Sequence, residues 1–75
     1  MNIMYLHNDN INSFGYIITA LIEICNHTLD QANQCAITTH FNDKCDILRN
    51  DDLSTLNKIK KKLEKRGLTI SIALV

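Results

Sequence analysis

The sequence predicts one small α+β domain with the element order β-α-α-β-α-β. Three observations predict it. Three segments place apolar residues at helical spacing, and each follows a residue suited to cap a helix. Three short apolar or β-branched runs stand before, between and after them. The chain has 75 residues, which leaves room for one core and no second one.

Residues 3–7 are short, apolar-rich and followed by a polar cluster, and they read as the first strand. Asn8-Asp9-Asn10-Ile11-Asn12-Ser13 then reads as a loop, because Asn, Asp and Ser side chains bond their own backbone. Ser13 is placed to cap a helix over residues 14–26. Phe14, Ile17, Ile18, Leu21 and Cys25 form its apolar stripe, with Tyr16, Thr19 and Glu23 off it. Asn26-His27-Thr28 breaks the pattern. Thr28 caps a second helix running to about His40, with Asp30 in its first turn where the helix dipole favours an anion. Leu29, Ala32, Ala36 and Thr39 share one stripe, and the small residues Ala32, Cys35 and Ala36 let a ligand or another backbone come close.

Phe41-Asn42-Asp43 reads as a turn and residues 44–48 as a second strand. Asn50 is expected to cap the third helix, with Asp51 and Asp52 in its first turn and Leu53, Leu56, Ile59 and Leu63 facing inward. Its lysines gather toward the C-terminal end, where cations offset the dipole. Gly67 sits where a helix-ending glycine belongs. Residues 68–75 are apolar and β-branched and form the last strand. There is no proline, and no repeat, low-complexity stretch or linker.

Composition excludes several classes. The chain is 45% apolar and 21% charged, a globular composition rather than a disordered one. Its formal net charge is zero, which argues against phosphate-gripping nucleic-acid binding. The balance hides an asymmetry, with net −3 in residues 1–50 and net +3 in residues 51–75. No apolar run reaches the roughly 20 residues that span a bilayer. The N-terminus has neither a basic region nor a cleavage pattern, so no signal peptide and no membrane are expected. Three cysteines in such a chain predict reduced thiols in a reducing compartment and a cytoplasmic location.

Chemistry has few candidate seats. No serine lies in a G-x-S-x-G elbow, and two glycines exclude a glycine-rich phosphate loop. A non-enzyme without cofactor is expected. Cys25, Cys35 and Cys45, with His7, His27 and His40 nearby, lack the close pairs of structural zinc sites, so the cysteines read as small buried hydrophobes. The lysine-rich stretch 58–66 either meets an acidic partner or is a solvated face, and no aromatic residue interleaves it to stack a base.

The best candidate is the corner Asn8-Asp9-Asn10 together with His40. A carboxylate, amide oxygens and a neutral imidazole nitrogen are all acceptors, the shell that an ammonium group requires. Phe14 and Ile17 on the first helix, with Ala36 and Thr39 on the second, are placed to wall an apolar pocket beside it. A cationic end joined to an apolar side chain describes a peptide N-terminus. The same residues also suit a plain capping loop and a polar helix end.

The run Leu6-His7-Asn8-Asp9-Asn10-Ile11-Asn12-Ser13-Phe14, with Gln31-Ala32, Thr39-His40 and Lys44-Cys45, resembles the ClpS family. The resemblance covers residues 3–72 and is most like the members from the Bacteroidetes group. Members of that family are adaptors that hand N-degron substrates to Clp-type AAA+ unfoldases. It implies a three-stranded antiparallel sheet covered by three helices. It also implies that Asn8 and His40, with Asp9 and Asn10 beside them, take the α-amino group of a substrate's first residue. Asn12, Phe14, Ile17, Ala36, Thr39 and Ile70 would line the pocket for its side chain, which in the family is Leu, Phe, Tyr or Trp. The implied partners are N-degron peptides and the N-domain of a ClpA- or ClpC-type unfoldase, with the adaptor a monomer.

The chain departs from the family pattern at several points. Asn10 stands where a second acidic residue is usual, Phe14 and Ala36 where methionines are common, and Thr39 where the wall is apolar. The stretch after His40 is about three residues shorter than in many relatives. The flexible tail that precedes the first strand in the family is expected to be missing. Protonating His40 would replace an acceptor with a repelling charge, so affinity is expected to fall on acidification. The competing expectation is a protein-interaction module of the same architecture, like the C-terminal domain of the ribosomal stalk protein, working through its basic third helix. A small hydrolase or metal protein ranks third.

Overall fold

The computed structural model describes residues 1–75. Its elements are β1 (Asn2–His7), α1 (Phe14–Cys25), α2 (Leu29–Asn42), β2 (Lys44–Asn50), α3 (Leu53–Lys65) and β3 (Thr69–Leu74). The sheet is antiparallel in the order β2-β1-β3. The α+β class, the element order and the three-stranded sheet all match the expectation.

Alternation along β1 sends Met4 and Leu6 to one face. Both are fully buried, in one core with Leu21 of α1, Ala32 and Cys35 of α2, and Leu56 and Leu63 of α3. All three helices therefore close over the same sheet face. Opposite Met4 and Tyr5, β2 carries one extra residue, since Met4 faces Leu48 while Tyr5 faces Asp46. Ile47 is the extra residue, and the His27 Nε2–H donates to its carbonyl at 2.9 Å. The imidazole thus satisfies a group that a bulge removes from the ladder.

The caps are local chemistry. Ser13 accepts from the Tyr16 amide, and Thr28 with Gln31 forms a reciprocal capping box. Asn26 and Asp43 end α1 and α2 in left-handed conformation, which Asn and Asp tolerate better than most side chains. Gly67 adopts φ +85° after α3, the conformation for which glycine is selected.

Several expectations are corrected. Asp52, not Asn50, caps α3, accepting from the Ser54 amide. Asn50 remains in β2 because it pairs with Asn2. α2 continues two residues past His40, so Phe41 and Asn42 are helical. Leu29 is 66% exposed and Leu53 46%, because each begins its helix and overhangs the core's edge. Cys35 and Cys45 form a disulfide between α2 and β2, with Cα atoms 5.8 Å apart, so these two are not the free thiols expected. Cys25 alone is free and buried, and burial pushes its thiol up to about 11.

Candidate functional site

The loop between β1 and α1 is organised by Asp9. Its Oδ1 accepts from the amides of Ile11 and Asn12, at 3.0 and 3.3 Å, and its Oδ2 accepts from Asn12 Nδ2 at 2.8 Å. Asn10 sits at φ +61°, the left-handed conformation that lets the chain reverse here. Asn12 Nδ2 donates a second bond, to the Gly67 carbonyl at 3.0 Å. Tyr16 adds a parallel tie, its hydroxyl donating to the Arg66 carbonyl at 2.6 Å. The Arg66 guanidinium in turn pairs with Glu23, which favours its charged form. The loop is thereby fixed to the corner that follows α3.

A separate bond fixes the loop to α2. The Asn8 amide donates to the Asp43 carbonyl at 2.8 Å. Asp43 is three residues past His40, so this bond brings Asn8 beside the last turn of α2. Between the loop, the first turns of α1 and the end of α2 lies a cavity of about 240 Å³. Asn8, Asn10, Asn12 and Ser13 line its polar side. Phe14 and Ile17 of α1, with Ala36, Thr39 and His40 of α2, line the rest. Eight of the ten residues singled out from the sequence are brought together here.

Two are not. Asp9 turns its carboxylate into its own loop, where both oxygens are occupied by the bonds above. Ile70 pairs with Leu6 across the sheet and shares its core-facing side. It is 7% exposed and belongs to the core. The cavity it borders is another one, between α3 and β3. Ser13 was missed as a lining residue, read only as a cap, although it lies between two residues that were named.

The site's chemistry follows from its groups. The His40 ring meets Phe14 edge-on at 5.2 Å and Phe41 at 5.0 Å between centroids. These contacts orient the ring while leaving its nitrogens as the polar groups it offers. The Thr39 hydroxyl donates to the Cys35 carbonyl at 2.8 Å, so its polarity is consumed within the helix. What remains of that buried side chain is its methyl group. The cavity offers amide oxygens and an imidazole at one end and hydrocarbon at the other. At about 240 Å³ it is smaller than drug-sized sites of roughly 300–1,000 Å³, a volume suited to one side chain. A larger cleft of about 450 Å³ lies between α2 and β2, lined by His27, Asp30, Gln31, Gln34 and the two bridged cysteines among others. No three His, Cys, Asp or Glu side chains are grouped as metal ligands would be, and no helix is long and apolar enough to cross a membrane.

An acceptor-rimmed apolar pocket of this size can pair a hydrogen-bond donor with an attached hydrocarbon group. The model of one family, the ATP-dependent Clp protease adaptor protein ClpS, matches residues 1–66. The chain therefore belongs to the ClpS family. That membership supports a role as a Clp protease adaptor, in a family of adaptors and not of catalysts. The matched residues take in the whole cavity and stop short of β3. No curated protein matches the chain.

Proposed function

We propose that this adaptor captures polypeptides by a bulky apolar first residue and delivers them to a Clp AAA+ unfoldase through that enzyme's N-domain, acting as a cytoplasmic monomer. The observation that carries the reading is the cavity itself. It joins the acceptors Asn8, Asn10 and His40 to the apolar walls Phe14, Ile17, Ala36 and Thr39. The α-ammonium group donates to the acceptors and the first side chain enters between the walls. Hydrogen bonds to a charged donor contribute about 1.5–3 kcal/mol each. A buried Leu or Phe side chain contributes about 1.5–3 kcal/mol, which is about 10- to 150-fold over glycine.

The test is binding of fluorescent ten-residue peptides that differ only at the first residue. Leu and Phe peptides bind, while Gly and N-acetyl-Leu peptides do not, and Asn8→Ala abolishes the difference. Equal binding of free and acetylated Leu would sink the reading. The exposed lysines Lys58, Lys61, Lys62 and Lys65 of α3 favour one second reading, an interaction module working through that face. Charge reversal at Lys61 and Lys62 would then abolish partner binding and Asn8→Ala would not.

A further inference from the structure

We infer that the Cys35–Cys45 disulfide is a redox clasp on the pocket: closed, it holds the C-terminal half of α2 in place, and its reduction weakens capture of the first residue. The inference rests on the peptide-capture reading for its functional consequence, and on the bridge's position for its mechanism. The segment enclosed by the bridge supplies the α2 side of the cavity. Ala36 follows Cys35 directly, Thr39 bonds the Cys35 carbonyl, and His40 comes next. Asp43, whose carbonyl anchors the Asn8 amide, also lies between the two cysteines.

Besides the Asn8–Asp43 bond and the Phe14–His40 contact, this part of α2 is held by small side chains. Its buried residues are Ala32, Cys35, Ala36 and Thr39, all small, and small side chains gain little from leaving water. Leu29, its one leucine, is exposed. A covalent link therefore adds a strong constraint to an attachment otherwise made of small side chains. The bridge is also reachable, because both cysteines line the open cleft of about 450 Å³ on the side away from the pocket. The third thiol does not interfere. Cys25 is buried, and its thiol, pushed up to about 11, supplies almost no thiolate to attack the bridge at neutral pH.

The reaction is exchange with a dithiol. A reagent thiolate attacks the half-buried Cys45 sulfur, forms a mixed disulfide and releases Cys35 as a thiolate, which takes up a proton. The reagent's second thiol then closes its own disulfide and releases Cys45, which is protonated likewise. The dithiol loses two electrons and two protons, and the protein gains them as two thiols. Opening a ten-residue loop removes a constraint worth up to about 100-fold in the local opening equilibrium.

The experiment compares the whole chain oxidised and in dithiothreitol, with mass spectrometry reporting the two added hydrogens. Hydrogen exchange over residues 36–43 should accelerate about 10- to 100-fold on reduction while α3 keeps its protection. Affinity for a Leu-first peptide should fall about 3- to 10-fold. The Cys35→Ser/Cys45→Ser variant should bind like the reduced protein and ignore dithiothreitol, and Cys25→Ser should keep the response. If that double variant does not fold, the reduced parent chain carries the comparison. Equal exchange and equal affinity in both states overturn the clasp, as does a chain that glutathione disulfide cannot oxidise. A chain that binds no Leu-first peptide in either state fails the capture reading. Exchange over residues 36–43 then decides the clasp alone, and unchanged rates overturn it.

Discussion

Asn12 makes the separation between holding the site and touching the ligand measurable. It lines the cavity, yet its amide nitrogen spends both protons on the fold, one on Asp9 Oδ2 at 2.8 Å and one on the Gly67 carbonyl at 3.0 Å. Replacing it with alanine removes both bonds. The first is to a carboxylate, worth about 1.5–3 kcal/mol, and the second is neutral, worth about 0.5–1.5 kcal/mol. The residue is half-exposed, so water replaces part of what is lost, and the low ends of both ranges apply. The expected cost is about 2 kcal/mol. For a chain of 75 residues that lowers Tm by about 8–16 °C. Calorimetry on Asn12→Ala measures it. Asn12→Asp is the sharper variant, because it sets a second carboxylate against Asp9 in place of a donor. Its deficit should exceed that of alanine at pH 7 and shrink as the carboxylates protonate. A Tm within 2 °C of the parent for the alanine variant, on the order of the effect of an inert surface change, would refute the loop's dependence on this tie.

Four further expectations follow from burial and backbone. The Cys25 thiol is raised to about 11 from an ordinary 9.0. The unfolded chain therefore loses that proton first as pH rises, and stability should fall between about pH 9 and 11 by about 3 kcal/mol; Cys25→Ala, followed by urea titration, should lack that fall. Leu56→Ala, at a position 1% exposed, should cost about 2–5 kcal/mol, while Leu53→Ala, at 46% exposed, should cost under about 0.5 kcal/mol, and equal costs in denaturant unfolding would contradict the packing. Gly67→Ala meets no atom within 4 Å, so its cost should be the conformational one alone, about 1–2 kcal/mol for a left-handed alanine, and a neutral result by calorimetry would remove the reason for a glycine there. Asn10→Asp should tighten a Leu-first peptide about 2- to 5-fold at low salt and lose that gain at 0.5 M salt, at roughly which the Debye length is only a few Å; equal affinities at both salts would place the ammonium elsewhere.

Much of the fold was legible because it is written locally. Ser13 and Thr28 cap helices wherever they are placed before apolar periodic runs, and Gly67 ends one for reasons confined to its own φ. The failures lie where a neighbour in space decides. Asn50 and Asp52 are equally good caps by chemistry, and the choice falls to Asp52 because Asn50 is drawn into the ladder opposite Asn2. Leu29 and Leu53 fit their stripes, but a helical stripe does not reveal how far the core extends under the first turn. The bridge between Cys35 and Cys45 depends on α2 lying along β2, and a spacing of ten residues carries no sign of that. Ile70, which does not line the cavity, depends on a neighbour in the same way. Its strand was foreseen, but its pairing with Leu6, which turns it into the core, is a register that no local pattern contains.

Asp9 shows how the neighbourhood of a site can be legible while a residue's role is not. A carboxylate beside two asparagines reads as the natural partner of an ammonium group, yet both its oxygens are taken by the loop. Its charge still acts, since it fixes the turn that carries Asn8 and Asn10, but it does not line the cavity. The polar groups that line the cavity near the loop and the end of α2 include the Asn8 and Asn10 amides and the His40 imidazole, with no carboxylate among them. Each retains the charge-assisted strength that comes from the ammonium side alone. Such a shell distinguishes a free amine from an acetylated one sharply, because the acetylated form lacks the charge and two of the donors. It does little to distinguish one first residue from another, since every free N-terminus offers the same group. On the capture reading proposed above, that second choice would fall to the walls, where Ala36 is small, Thr39 has spent its hydroxyl and Phe14 stands against His40. On the same reading, selectivity among first residues would be set by shape and apolar burial, and capture as such by the acceptors Asn8, Asn10 and His40, held in place from outside the pocket.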